Sequence, residues 1–145
     1  MKITPEELRK SIALEITEIL DNQNIKYSYI EQEELKSFDK RWRNIFIDGK
    51  TPQFKWDYLH RNSLTIKGAD ALMEYEKQWA SIIYIFNEEL NYGLRCEKTN
   101  KLPIISLDKL PFEDIYICHH NMKWTLALPH EHPLAYFCKC SEYKK

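Results

Sequence analysis

Cysteine and histidine crowd into one stretch of this chain. Cys118, His119, His120, His130, His132, Cys138 and Cys140 all lie within residues 116–140, YICHHNMKWTLALPHEHPLAYFCKC, leaving only His60 and Cys96 elsewhere. Side chains of this kind can hold a metal, act as nucleophile and base, or simply line a sheet. Zinc asks for about four Cys, His or carboxylate ligands in a tetrahedron. On extended backbone His130 and His132 share a side, as do Cys138 and Cys140. An HxH segment folded against a CxC segment, with Cys118 nearby, is therefore chemically sensible, although it lacks the paired CxxC spacing common in structural zinc sites. A zinc-binding protein, structural or hydrolytic, is the alternative reading of the chain.

Covalent catalysis has less to build on. A catalytic thiol needs an adjacent base. Cys118 and His120 share a strand face, but so do many inert pairs. His130 and Glu131 are sequence neighbours whose side chains diverge on an extended chain. The sequence contains no GxSxG or HExxH motif and no helix with paired carboxylates. Its three glycines, Gly49, Gly68 and Gly93, are too dispersed for a loop that cradles phosphates. The expectation is a protein with no catalytic residues, cofactor or metal.

The elements that must position this segment follow from local pattern. Thr4-Pro5-Glu6-Glu7 starts a helix, with Thr4 as cap and Glu7 completing a capping box. Leu8, Ile12, Ile16, Ile19 and Leu20 then form one apolar stripe. A second helix is expected over about 31–46, with Leu35, Phe38, Trp42, Ile45 and Phe46 on one face. The segment between them, 25–30, reads as a connector or minor strand. Gln53–Arg61 alternates through Phe54, Trp56 and Tyr58 and reads as a strand. Gly68-Ala69-Asp70 opens a third helix with Leu72, Tyr75 and Trp79 inward. Ser81–Glu88 reads as a buried strand, followed by a turn at Asn91-Tyr92-Gly93, with Gly93 free to take positive φ, and a return strand over 94–99. Residues 103–113 read as irregular or briefly helical. Ile115–His119 and Lys123–Leu128 fold as a hairpin around Asn121, in a register left open by two residues, and a last strand runs from Leu134 to about Cys138. The class is α+β, with N-terminal helices packed on one face of a mainly antiparallel C-terminal sheet. One domain spans 1–145, helical over 1–50 and sheet-rich over 53–140.

Bulk properties narrow the partners. Lys plus Arg is 21 and Asp plus Glu is 22, for a formal charge of −1. That balance disfavours a dedicated nucleic-acid binder. Arg41 and Arg43 flank Trp42, but Trp42 belongs to the helix stripe, so a solvated charged face is the simpler reading. No apolar run is long enough to span a bilayer, and MKITPEELRK lacks the apolar core of a secretory signal. The expected setting is the cytoplasm, with thiols reduced.

Placed together, several residues carry a family likeness over about 41–137. Trp42 and Phe46 share a helix, Trp56 follows, Gly68-Ala69 opens a helix with Tyr75, and Tyr84-Ile85-Phe86 comes next. Asp114-Ile115-Tyr116-Ile117, Lys123-Trp124-Thr125, His130-Glu131 and Tyr136-Phe137 complete the order. In this the chain resembles a family of small bacterial proteins, most of uncharacterised function and immunity-protein-like. It departs after Glu131, where Leu134-Ala135 separate Pro133 from Tyr136 instead of a glycine-containing loop leading into Pro-Tyr-Phe. The resemblance implies a non-enzymatic protein that neutralises a bacterial toxin by binding it. The contact residues expected are Glu88, Glu89 and Tyr92 at a hairpin tip, with His119, His120, His130, Glu131 and His132 near the C-terminal loops. The expected partner is a protein, with no membrane and no nucleic acid.

Overall fold

The computed structural model describes residues 2–78, 80–97, 113–130 and 135–140. Its elements are α1 (Pro5–Asn22), β1 (Lys26–Tyr29), α2 (Gln32–Phe46), α3 (Lys55–Leu59), β2 (Thr65–Lys67), α4 (Ala69–Glu76), β3 (Ile82–Asn87), β4 (Gly93–Glu97), β5 (Ile115–His119), β6 (Trp124–Leu128) and β7 (Tyr136–Lys139). The fold is α+β. The strands form one antiparallel sheet in the order β1-β4-β3-β5-β6-β7-β2. The expectations for 103–112 and for Trp79, Glu131 and His132 lie outside the described residues.

Helix α1 begins as its local sequence dictates. Glu7 N–H donates to the Thr4 hydroxyl at 3.1 Å, and Thr4 N–H donates to the Glu7 carboxylate at 3.3 Å, with Pro5 in the first turn. These bonds satisfy donors that helix geometry leaves without partners. The stripe behind the cap is only half used: Ile16, Ile19 and Leu20 are buried, whereas Leu8 and Ile12 stay exposed.

The helices do not share one face of the sheet. α1 and α4 pack with Ile83, Ile85, Leu94, Ile117 and Leu126, while α2 and α3 pack with Phe86, Tyr116, Cys118 and Ala127. Successive strand residues point to opposite faces, and both parities are apolar here. β5 and β6 are consequently buried at every residue. The expectation of helices packed on one face of the sheet is corrected on this point.

Two local expectations also change. Residues 55–59 form a helical turn, not a strand. Its buried residues, Lys55, Trp56 and Leu59, have helical spacing. Two of its first amide donors are satisfied from distant chain: Lys55 N–H by the Glu88 carboxylate at 3.1 Å, and Trp56 N–H by the Tyr116 hydroxyl at 3.0 Å. Gly93 is required for space, not for positive φ. A Cβ there would meet Leu35 Cδ1 at 2.6 Å. The left-handed residue of the β3–β4 turn is Leu90, at φ 58°.

The β5–β6 hairpin pairs Ile117 with Leu126 and Ile115 with Leu128, one of the two registers the sequence allows. Its turn places Met122 at φ 61°, a conformation costly for a bulky residue. Met122 is buried, and its Sδ lies 3.6 Å from Cys118 Sγ. The packed side chain holds the backbone there.

Candidate functional site

The hairpin has two ends, and histidine sits at both. At the α3 end, Asp114 precedes β5 and collects donors. Trp56 Nε1–H donates to Asp114 Oδ1 at 2.9 Å, and His130 N–H donates to the same oxygen at 3.0 Å. His130 Nδ1 lies 3.0 and 3.1 Å from the two carboxylate oxygens. A carboxylate only accepts, so Nδ1 carries the proton.

Behind Asp114 runs a buried ion network. Lys55 Nζ is 3.0 Å from Glu88 Oε2 and 3.4 Å from Asp39 Oδ1, and it donates to the Glu88 carbonyl at 3.0 Å. Arg43 Nη2 lies 2.9 Å from Asp39 Oδ2. The Tyr116 hydroxyl donates to the Glu88 carboxylate. Burial, with Glu88 beside it, holds that hydroxyl well above the ordinary phenol range. Each buried charge has an opposite charge in contact, the condition under which desolvation is tolerated.

In front of Asp114 the rings form an array that reaches solvent. Phe54 stacks on Trp56 at 5.3 Å between centroids, and Trp56 stacks on Tyr136 at 6.3 Å. His130 lies 5.4 Å from Phe54 and 5.7 Å from Trp56. The Arg61 guanidinium sits 4.5 Å over the Tyr58 ring. Phe54, Tyr58 and His60 are half-buried, and the His130 side chain is 49% exposed.

At the turn end, His119 and His120 stack at 4.7 Å with 23° between their planes. His120 Nδ1 lies 3.1 Å from the Ile82 carbonyl, which can only accept, so that nitrogen is protonated. Asn121 N–H donates to His119 Nδ1 at 3.0 Å, which leaves the His119 proton on Nε2. Burial, followed by His120 and Lys123, lowers the His119 pKa to about 4. His119 is 7% exposed.

The residues singled out from sequence therefore separate. Glu88 turns inward to Lys55, and Tyr92 is buried at 4% exposure, with burial raising its hydroxyl pKa. The expected acidic tip keeps Glu89 as its exposed acid, while Asn87 organises the turn, accepting from Asn91 N–H at 2.9 Å. His119 and His120 come together; His130 stands apart with Asp114. Glu131 and His132 lie outside the described residues.

The thiols of the alternative metal set belong to packed strand faces. Cys118, Cys138 and Cys140 are buried, and burial raises the Cys118 thiol and pushes Cys138 up to about 11. Cys138 pairs across from Thr125, and Cys140 N–H donates to the Lys123 carbonyl at 3.0 Å. His130 follows Thr125 by five residues, roughly 16 Å along extended chain. Among the described residues no three His, Cys, Asp or Glu side chains assemble as metal ligands. Trp42 is fully buried and donates its indole N–H to Thr125 at 2.9 Å, so Arg41 and Arg43 flank a core ring.

Asp39 and Lys55 escaped the sequence reading. Asp39 did leave a signal: it falls within the buried stripe of α2 with Leu35, Phe38, Trp42 and Phe46. A carboxylate at a core position implies a buried cation. Lys55 left none, because it sat between Phe54 and Trp56 in an apparent strand.

A scan against protein-family models finds no match to this chain, and searches of the curated proteins and of the solved structures find none either. No helix of the described residues is long and apolar enough to cross a membrane.

Proposed function

We propose that this chain is a non-enzymatic binding protein of the bacterial cytoplasm, an immunity protein that neutralises a toxin domain by covering its active site. The observation supporting it is the ring array at α3: Phe54, His130 and Tyr136 around Trp56, His60 against Tyr136, and Arg61 over the half-buried Tyr58. Aromatic and arginine side chains dominate the energetics of protein interfaces. Rings already held in place lose little conformational entropy when a partner docks. Here the holding groups are Asp114, which fixes Trp56 and His130, and the Lys55–Glu88 pair, which fixes the start of α3. The toxin reading draws further on the likeness of the DIYI, KWT, HE and YF segments to small immunity-like proteins.

Affinity capture from the source cell with the tagged chain tests the proposal. We expect a protein encoded by an adjacent gene to be recovered, and its toxicity to be blocked by co-expression of this chain. Phe54→Ala combined with Tyr58→Ala should weaken that capture by about tenfold or more, with the fold retained by circular dichroism. A partner captured equally well by the double variant would remove the α3 surface from the proposal. A harmless neighbour-encoded partner would remove the toxin.

A further inference from the structure

Two pairs of neighbouring acids lie at the α3 end of the sheet, and each pair divides between the sheet faces. Glu88 N–H donates to the Asp114 carbonyl at 3.0 Å, so Glu88-Glu89 and Glu113-Asp114 run side by side. The Glu88 and Asp114 carboxylates turn to Lys55, Trp56 and His130 on the α3 face. Glu89 and Glu113 instead line a small cleft on the α1 face, of about 160 Å³, together with Ile12, Glu15, Ile16 and Tyr92, among others. The described lining residues include three carboxylates and no basic side chain. Among the described residues no lysine, arginine or histidine pairs with any of the three. Glu89 accepts only from a neutral group, Asn87 Nδ2, at 3.3 Å.

Tyr92 marks the cleft as more than a solvated acidic patch. It is 4% exposed, and among the described residues no hydrogen bond reaches its hydroxyl. Burial raises its pKa first, then Glu113, Glu15 and Glu89. Those are the three acids of the lining, so the hydroxyl points in among them. A buried hydroxyl without a partner costs free energy, and three like charges around one cleft repel. A cation with several donors answers both. A bare metal ion does not fit the spacing: among the described residues no three carboxylates close on a single ion. A guanidinium is wider and planar and carries five N–H donors. The volume falls below the range of small-molecule pockets and suits one side chain.

We infer that this cleft seats an arginine side chain presented by the protein partner, its guanidinium donating to the Glu15, Glu89 and Glu113 carboxylates and to the Tyr92 hydroxyl oxygen. The inference rests on the binding-protein reading above and adds the partner's chemistry. The cleft adjoins the α3 ring surface through the Glu88–Asp114 backbone contact, so a partner capping this end of the sheet meets both. Ile12, which α1 leaves 44% exposed, gives the arginine stem an apolar wall.

Acetyl-Gly-Arg-Gly-amide is the probe, titrated into the whole chain at low salt and followed by NMR of the backbone amides and tyrosine ring protons. We expect saturable one-to-one binding with a dissociation constant on the order of 1 mM, with shifts centred on Tyr92 and weakening as salt is added. Glu15→Gln with Glu113→Gln should weaken it by about tenfold or more; Glu33→Gln with Glu76→Gln, an equal change of charge outside the lining, should leave it unchanged. The same peptide with lysine in place of arginine should bind more weakly. Absent binding, equal weakening by both pairs, equal binding of the lysine peptide, or displacement by calcium would overturn the inference. So would a captured partner that is lost with Phe54→Ala and Tyr58→Ala yet unaffected by Glu15→Gln and Glu113→Gln, although the binding function would stand. Peptide binding with no partner captured would overturn the binding-protein reading and leave the arginine site in place.

Discussion

The two ends of the β5–β6 hairpin use the same kind of side chain to opposite effect. At the α3 end His130 meets a carboxylate, Asp114, and behind it every buried charge is matched: Lys55 with Glu88 and Asp39, Arg43 with Asp39. At the turn end His119 meets His120 and Lys123, and the adjacent cavity is lined by Lys77 and Lys139, both paired with Glu74. The first end is a closed electrostatic circuit that rigidifies a surface of rings. The second sets two rings against each other and beside a cation, and with burial this keeps His119 neutral. A histidine's chemistry is thus set by what the tertiary fold places against it, not by its neighbours in sequence.

The largest effect should come from opening the closed circuit. Lys55→Ala leaves the buried Glu88 carboxylate without its cation and Asp39 with Arg43 alone, and the cost is expected at about 3–5 kcal/mol in urea denaturation. Lys55→Met combined with Glu88→Gln should recover much of it, because the stranded charge goes too while Asp39 keeps Arg43. A loss below about 1 kcal/mol for Lys55→Ala would show that the network is wet and the contrast between the ends overstated.

A smaller effect should follow from Asp114→Ala. It leaves the Trp56 indole N–H and the His130 amide without their acceptor, a cost of about 1–3 kcal/mol. It should also loosen His130 while leaving the His119 titration unmoved, which NMR of the two rings would read. Movement of both histidines would mean that the ends are coupled.

The smallest effect is one of pH. His119 titrates at about 4 in the folded chain against 6.5 for the unperturbed ring. Between those values the unfolded state binds more protons, so stability is complete above about pH 6.5 and is lost as pH falls toward 4. Allowing for partial solvent screening, the loss between pH 7 and 5 is about 1 kcal/mol. His119→Asn retains an acceptor for the Asn121 amide but does not titrate in this window. Its melting temperature should therefore fall less than that of the parent chain over the same range. Equal falls would show that the ring is not desolvated.

Much of the fold was legible because its signals are local. The Thr4–Glu7 capping box, the α2 stripe through Leu35, Phe38, Trp42 and Phe46 but not the exposed Ile45, the Gly68 start of α4 and the strands β3, β5 and β6 all appear in the structure. The failures share a cause in distant contacts. Residues 54–58 alternate like a strand, yet Glu88 and Tyr116 satisfy the first donors of a helical turn there. Gly93 looks like a turn residue, yet its need is for clearance beneath Leu35. Of the histidine–cysteine segment, the sequence shows the concentration but not the partition. His119 and His120 go to one end, His130 to the other, and the thiols into packing between the sheet and α2.

The sequence by itself determined where α1, α2 and α4 begin, where the β5–β6 hairpin lies, and that soft side chains would ride on its strands, because these depend on neighbours a few positions apart. Only the tertiary structure decided that helices cover both sheet faces, that Asp39, Lys55 and Glu88 form one buried circuit, and that three lysines from separate elements surround His119 and His120. Those outcomes rest on Coulomb and packing energies between groups tens of positions apart, which no local pattern encodes.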